Sequence, residues 1–304
     1  MNLSNRPKMQ IEPLNDLALI KEIGALAAAH KIEIYAVGGC VRDWALGRPA
    51  ADLDFLLSSA GTPVADALVE KHGGTFTRFD KFLTTRVFLE NGRRVDFARF
   101  RKELYAGPAV LPAVEPAVSA DEDLKRRDFS VNALALAVLP GRFGEVLDPF
   151  GGLGDIKRGC IRALHHASFN DDPTRIFRAA RFAGRFDWSL EGETWEWIKK
   201  CVKENTPALL SRERLRNELL KLLEEKNPNS AFAVLRNLDA IRFFHRAFIW
   251  PDAASSVNGP MTRLAAIAAA MGRDGASFLE SLKLPNKTIA GIKSAAASRF
   301  RKHI

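Results

Sequence analysis

Between residues 32 and 139 the apolar positions fall in short β-rich runs broken by Gly and Pro. They predict strands at 34–37, 53–57, 84–89, 94–98 and 133–139. Asn91-Gly92, between two of these runs, is a hairpin signal, because both residues tolerate the positive φ of a tight turn. Helical spacing precedes and interrupts the strands at 14–30, 41–46 and 63–72. After Pro149-Phe150-Gly151-Gly152 the period changes to 3.6, which predicts helices at 173–186, 193–204, 211–226, 230–238, 262–271, 275–282 and 287–300. The pattern is that of an α+β chain: strands and helices mixed over 1–150, then helices alone over 151–226 and 227–304. The Pro/Ala/Val-rich stretch 108–120 has poor periodicity and is expected to form a mobile loop. The last helix runs to Ile304 without a cap, so further sequence is expected beyond it, and because the helices after Leu223 are few a tail domain is expected to be reduced or absent.

Composition narrows the class. The 304 residues are 47% hydrophobic and 27% charged, which excludes a disordered chain and a membrane bundle. With 45 Lys and Arg against 36 Asp and Glu, the net charge is +9, and this favours a polyanionic partner. Cys40, Cys160 and Cys201 form no CxxC pair, so neither a zinc framework nor a disulfide scaffold is indicated. No leader-like apolar segment opens the chain, and a cytoplasmic location is expected.

Two stretches of the head carry chemistry. Asp52-Leu53-Asp54-Phe55 places carboxylates at i and i+2, on one side of a strand whose Leu53 and Phe55 face the core. Such a pair suits Mg²⁺, although by itself this alternation more often marks a half-exposed strand. Upstream, Val37-Gly38-Gly39-Cys40-Val41-Arg42-Asp43 reads as a strand end, a glycine turn and a helix start. Paired glycines let backbone N–H groups approach a polyphosphate closely. Together the two stretches point to triphosphate binding at Gly38, Gly39 and Arg42 beside a metal at Asp52 and Asp54.

These residues resemble the head signature of the class II tRNA nucleotidyltransferases and bacterial poly(A) polymerases, within the polymerase-β-like nucleotidyltransferase superfamily. The resemblance continues through Leu46-Gly47-Arg48, Arg94-Val95-Asp96-Phe97-Ala98, Arg126-Arg127-Asp128-Phe129-Ser130-Val131-Asn132, Asp148-Pro149-Phe150-Gly151-Gly152 and Asp171-Asp172-Pro173-Thr174-Arg175. It implies a polymerase-β-like head followed by helices, with nucleotide contacts from Arg127 and from Asp128, the latter through ribose hydroxyls, and with Asn132 at the triphosphate or sugar. Asp96 alternates with Val95 and Phe97 and should share a sheet face with Asp54 if the strands adjoin. It then serves either as a third catalytic carboxylate or as an ordinary strand Asp paired with Arg94.

Asp172 precedes Pro173 and reads as the N-cap of a helix with Pro173 at its first position, placing Arg175 one turn on. A carboxylate accepts and a guanidinium donates, so the two match a base edge with an exocyclic amine next to a ring nitrogen, as in cytosine and adenine. The resemblance gives Asp172 and Arg175 this base-reading role, here with Asp171 where the family has Glu. Arg175, Arg178, Arg181 and Arg185 share about a third of the helix circumference. Of these, Arg178 joins the nucleotide-binding set, while Arg181 and Arg185 are read either as nucleic-acid contacts or as a solvated face. The segment Ser211-Arg212-Glu213-Arg214-Leu215 resembles a later family motif, with no site role assigned.

The expectation is a template-independent enzyme adding C and/or A from CTP and ATP to the 3′ end of tRNA by two-metal-ion phosphoryl transfer, with pyrophosphate released. Addition of CCA, of CC alone or of A alone all remain open. Poly(A) synthesis is the alternative, disfavoured because Asp80-Lys81-Phe82-Leu83-Thr84-Thr85-Arg86 lacks the basic signature of poly(A) polymerases. A non-catalytic RNA-binding protein is the remote one. Arg299, Arg301, Lys302 and His303 are expected to lie against the RNA backbone.

Overall fold

The computed structural model describes residues 16–300, with side-chain surroundings to residue 298. The basic end formed by Arg299, Arg301, Lys302 and His303 thus lies outside the described side chains, as does the segment before Asp16. The chain forms two compact units. Of the described residues, one holds those up to 106, 112–158 and 162–164, and the other 107–111, 159–161 and those from 165 on.

In the first unit the elements run α1 (Leu17–Ala29), β1 (Ile34–Val37), α2 (Gly39–Ala45), β2 (Leu53–Leu57), α3 (Thr62–His72), β3 (Thr75–Phe79), β4 (Thr84–Phe88), β5 (Arg94–Arg99), β6 (Arg101–Leu104), β7 (Ala113–Pro116), α4 (Ala120–Lys125), β8 (Ala135–Ala137), β9 (Val146–Leu147) and α5 (Gly152–Arg158). Seven strands make one mixed sheet in the order β3-β4-β5-β2-β1-β8-β9. All neighbours are antiparallel except β2 and β5, whose parallel pairing sets Leu53 opposite Val95 and Asp54 opposite Asp96. The hairpin signal is realised: Gly92 takes φ +80 and donates its N–H to Leu89 O, joining β4 to β5.

Each face of the sheet has its own cover. Phe55, Phe97, Val87 and Val95 are buried on one face, with Phe55 and Phe97 ring centroids 5.6 Å apart and Gly61 at the start of α3 against Phe97. The other face buries Tyr35, Val37, Leu56, Ala135 and Ala137 under Phe100, Ala117, Ala120 and Leu124, so α4 closes the β1/β8 end. Burial of each large side chain contributes roughly 1.5–3 kcal/mol.

Residues 108–120 depart from the expected loop. Ala113–Pro116 is a strand paired with Arg101–Leu104, and α4 begins at Ala120. The pairing joins residues of mixed polarity, so no periodicity announces it. The strand expected at 133–139 is also shorter, since residues 130–132 form a 3₁₀ turn before β8.

The second unit is helical: α6 (Ser168–Asp171), α7 (Thr174–Phe186), α8 (Gly192–Lys203), α9 (Arg212–Glu224), α10 (Asn229–Asn237), α11 (Asp252–Ser255), α12 (Pro260–Ala270), α13 (Gly275–Ser281) and α14 (Asn286–Ala295), with one small parallel pair, β10 (Cys160–Ile161) and β11 (Ser189–Leu190). Gly184 of α7 packs directly on α10, where a Cβ would stand 2.7 Å from Ala231 N. Phe177 meets Phe244 with centroids 4.9 Å apart. Buried Arg263 donates to Leu223 O and Glu225 O, satisfying carbonyls left open at the end of α9. The α+β class with a mixed-sheet head and helical remainder is the observed architecture.

Candidate active site

The parallel pairing of β2 and β5 creates the acidic centre of the first unit. Asp54 and Asp96 stand opposite one another on the face away from Phe55 and Phe97. Asp52 lies just before β2, in a bend, with its side chain 52% exposed. Asp96 receives a two-pronged contact from Arg86, at 2.8 and 3.0 Å, and lies 3.2 Å from Arg94. Of its two readings, the ion pair with Arg94 is therefore present, alongside proximity to Asp54. Arg94 also comes within 3.6 Å of Asp52.

Asp54 is different. Among the described residues its carboxylate takes no hydrogen bond or ion pair, and burial, followed by the nearby charge of Asp96, pushes its carboxyl above the usual carboxylate range. Arg127 and Arg94 oppose this shift and Asp52 adds to it. An anion held partly dry between two others, without a donor of its own, is the arrangement a hard cation relieves. The described residues contain no group of three or more His, Cys, Asp or Glu able to hold a metal alone. Asp52 and Asp54 instead fit an ion such as Mg²⁺, commonly held by one or two carboxylates and completed by substrate phosphates.

The glycine turn is shaped by its neighbours. Gly38 has φ +72, and a Cβ there would stand 2.7 Å from Arg127 Nη1, so both conformation and space demand glycine. Gly39 opens the seven-residue α2, whose Arg42 is buried. Arg42 donates to Asp43 Oδ1 and, through Nη1, to Asn132 Oδ1 at 2.6 Å. The Asn132 amide in turn donates to Asp128 Oδ1 at 2.9 Å, which also accepts the Phe129 N–H. Arg127 donates to Asn132 O at 3.4 Å and to Asp123 Oδ1 at 3.3 Å. Arg42, Arg127, Asp128 and Asn132 thus belong to one connected network, which Gly38 joins by accepting the Arg42 N–H and packing on Arg127, while Gly39 adjoins it in sequence. Cys40 beneath it is inert: burial, reinforced by Asp54, pushes its thiol up to about 12.

In the second unit, Asp172 has extended angles (φ −136, ψ 93), Pro173 is already helical, and Asp172 Oδ1 accepts the Thr174 N–H at 3.0 Å. This is the capping expected from the sequence. The same Oδ1 accepts from Thr174 Oγ1 and from Arg214 Nη2 at 2.7 Å, while Oδ2 takes no bond among the described residues. Arg175 is buried and donates to Ser168 Oγ at 2.6 Å. The guanidinium carbons of Arg178, Arg181 and Arg185 lie 5.5, 4.9 and 5.9 Å from the Phe182 centroid. Arg181 and Arg185 also reach Glu225 at the end of α9; Arg181 is buried there, whereas Arg185 remains exposed and keeps a solvated side.

Three contributors escaped the sequence reading. Arg214 lay in the unassigned Ser211–Leu215 motif. Asp123 is fully buried and holds both Arg126 and Arg127, a spacing of i, i+3 and i, i+4 that a helix reading would have caught. Arg86, the fork on Asp96, had no local signal. Asp148-Pro149-Phe150-Gly151-Gly152, by contrast, is structural here: Asp148 caps α5 through Gly152 and Leu153 N–H, and Gly152 leaves room for Ser130 O, which a Cβ would meet at 2.2 Å.

Comparison with known proteins agrees with this geometry. Residues 34–162 match the family model "Poly A polymerase head domain", and residues 187–249 match "Probable RNA and SrmB- binding site of polymerase A". The chain is 36% identical over 233 residues to an A-adding tRNA nucleotidyltransferase of Geobacter sulfurreducens, covering 77% of this chain and 26% of that protein. A second A-adding enzyme, from Halalkalibacterium halodurans, is 36% identical over 224 residues, 73% of this chain and 52% of the relative. The chain therefore spans about a quarter to a half of these relatives. A CC-adding tRNA nucleotidyltransferase of Deinococcus radiodurans is 31% identical over 299 residues, 96% of this chain and 77% of the relative. Among solved structures, the Thermotoga maritima CCA-adding enzyme complexed with tRNA superimposes with TM-score 0.75 at 29% identity, covering 95% of this chain and 74% of that one. A tRNA nucleotidyltransferase complexed with a primer tRNA and an incoming ATP analog gives TM-score 0.78 at 29% identity, over 91% and 84%. With acidic strand, glycine turn and capped Asp172 all in family order, and a relative that matches nearly the whole of this chain and 77% of its own length, this chain belongs to the tRNA nucleotidyltransferase/poly(A) polymerase family.

Proposed function

We propose that the protein is a template-independent RNA nucleotidyltransferase that adds C and/or A from CTP and ATP to the 3′ end of tRNA, releasing pyrophosphate. The observation that carries this reading is Asp54: a carboxylate without a hydrogen-bond or ion-pair partner among the described residues, opposite Asp96 and near Arg127, the residue packed on the glycine turn. Residues 1–150 then form the catalytic head, 151–226 the neck that selects the base, and 227–304 the body that grips RNA. A cytoplasmic site of action fits this chemistry, and no helix among the described residues is long and apolar enough to cross a membrane.

Asp52 and Asp54 would hold Mg²⁺, which when bound supplies charge neutralisation at the α-phosphate and acidifies the attacking 3′-hydroxyl. Divalent metal use is general among such nucleotidyltransferases. Gly38 sets the turn, its own N–H held by Leu134 O, so that Gly39 offers the triphosphate a backbone N–H, and Arg127 gives it a guanidinium already oriented by Asp123. Arg42 acts through Asn132, fixing the amide that Asp128 also holds, so the sugar and triphosphate meet a prearranged surface. Asp172 offers its open Oδ2 to the exocyclic amine of cytosine or adenine, with Arg175 and Arg178 as the cationic side of the reading set.

The test is transfer itself. Purified protein, Mg²⁺, single labelled nucleotides and tRNA transcripts lacking CCA, lacking only the terminal A, or complete should show C or A incorporation. Extension of any RNA by many A residues would favour the poly(A) reading. Asp52→Ala and Asp54→Ala should each abolish transfer while RNA binding persists; near-normal turnover in either variant would overturn the metal assignment.

A further inference from the structure

The acidic face of the sheet is covered on one side of the carboxylates and open on the other. Strand register carries one row from Asp54 through Asp96 and Arg86 to Thr77, and flanking rows through Ala98, Thr84 and Phe79 and through Arg94, Phe88 and Thr75. Residues directly opposite share a face, so all of these side chains lie on the face of Asp54. Toward β1 and β8 that face is sealed by Phe100, Ala117 and Leu124. Toward β4 and β3, Phe79 and Phe88 are 38% and 47% exposed, with the Arg86 guanidinium carbon 5.5 Å from the Phe79 centroid and with exposed Thr75 and Thr77 alongside. On the opposite face of the same strands, Val87 and Val95 are fully buried. Two open phenyl rings near a sheet edge are an aggregation liability unless something lies on them.

We propose that this open half of the acidic face, Phe79 and Phe88 with Arg86 between them, is a stacking platform for the 3′-terminal nucleotides of the RNA that accepts the new residue. The inference rests on the nucleotidyltransferase reading and adds the path of the acceptor strand. The nucleotide elements lie on the far side: Gly38 follows β1, and Arg127 and Asn132 precede β8. In-line displacement places the attacking oxygen and the leaving pyrophosphate on opposite sides of the reacting phosphorus. If pyrophosphate departs toward Gly38 and Arg127, the 3′-hydroxyl arrives from the side of β5, β4 and β3. A strand entering that way passes over Phe79 and Phe88. Aromatic rings beside a guanidinium suit this occupant, because bases stack on both and every base has a π-face. A free nucleotide would be held by its triphosphate, and on this side Arg86 and Arg94 are already engaged by Asp96, whereas Arg127 stands on the other.

The experiment compares wild type, Phe79→Ala, Phe88→Ala, the double variant and Phe79→Trp in Mg²⁺ with CTP and ATP, on a tRNA transcript lacking CCA and on the same transcript with CC added. The rings are partly exposed, and thermal melting should show every variant folded. Each alanine should raise the KM for the transcript by about 5- to 150-fold, the range expected for losing one base–aromatic contact. The KM for CTP and ATP should stay unchanged, and Phe79→Trp should behave as wild type. An unchanged transcript KM in the double variant, with the wild type active, overturns this inference alone. A rise in nucleotide KM matching that for RNA also overturns it, by placing the rings at the incoming nucleotide. No turnover by the wild type on any 3′ end overturns the transferase reading and this inference with it.

Discussion

Arg214 ties Asp172 to the backbone of Ala109: one guanidinium nitrogen donates to Asp172 Oδ1 at 2.7 Å and the other to Ala109 O at 2.7 Å. Because Thr174 also binds Oδ1, the carboxylate is held by one oxygen and its Oδ2 is aimed by that grip. Arg214→Ala should therefore lower kcat/KM for CTP and ATP by tenfold or more, in line with the ~1.5–3 kcal/mol of a charge-assisted hydrogen bond, and narrow their advantage over UTP. Arg214→Lys keeps the charge without the fork and should fall between. Steady-state kinetics with four nucleotides on one tRNA end checks this; an unaltered CTP/UTP ratio would detach Arg214 from base choice.

Asp172→Asn keeps the size of the side chain but supplies a donor that can face a carbonyl. UTP or GTP should gain activity while CTP and ATP lose it, each mismatched or unpaired group costing about 1–3 kcal/mol. Equal loss for all four nucleotides would make Asp172 a capping residue with no part in reading the base.

Asp54 links the site to stability. Its carboxyl is held above its ordinary value by burial and by Asp96, so the folded state favours the protonated form more than the unfolded chain does. The stability this group contributes is fully present below the ordinary carboxylate pKa, about 3.9, and is lost as pH rises through the raised value. In EDTA, Asp54→Asn should melt at a higher temperature than wild type at pH 7–8, and the gap should close as pH falls toward 4. A gap independent of pH would show that ionisation of Asp54 is not its source.

Gly38→Ala combines a strained φ of +72 with a Cβ 2.7 Å from Arg127 Nη1. The variant should lose about 1–2 kcal/mol of stability and displace the guanidinium, raising the nucleotide KM several-fold without changing C-versus-A preference. Differential scanning and initial-rate measurements read both effects. A changed preference would move base choice into the glycine turn.

Local patterns carried much of this structure. Val37-Gly38-Gly39 announced strand, turn and helix because glycine's φ is a property of the residue itself, and Asp172-Pro173 announced a capped helix for a similar reason. The seven-strand order and the β6/β7 pairing of Arg101–Leu104 with Ala113–Pro116 were not legible, because they arise from contacts between segments distant in sequence and mixed in polarity. Arg214 and Arg86 escaped on the same ground: a guanidinium reaches its partner across 42 residues in one case and across a hairpin in the other, and no local period records either. Asp52 and Asp54 were found together, yet only the strand boundary at Leu53 shows one exposed in a bend and the other half-buried.

The parallel join of β2 to β5 also sets where the chain can tolerate length changes. Everything between the two carboxylates, α3 and the β3/β4 hairpin, is an excursion that leaves and returns, and extra residues at Asn91-Gly92 lengthen a turn while Asp54 and Asp96 stay level. A single residue removed inside β5 is of another kind: side chains alternate, so Asp96 would rotate into the layer of Phe55 and Val95's place would pass to a polar neighbour. Insertions and deletions among folded relatives should accordingly gather at the Asn91-Gly92 turn and spare the stretch from Arg94 to Arg99.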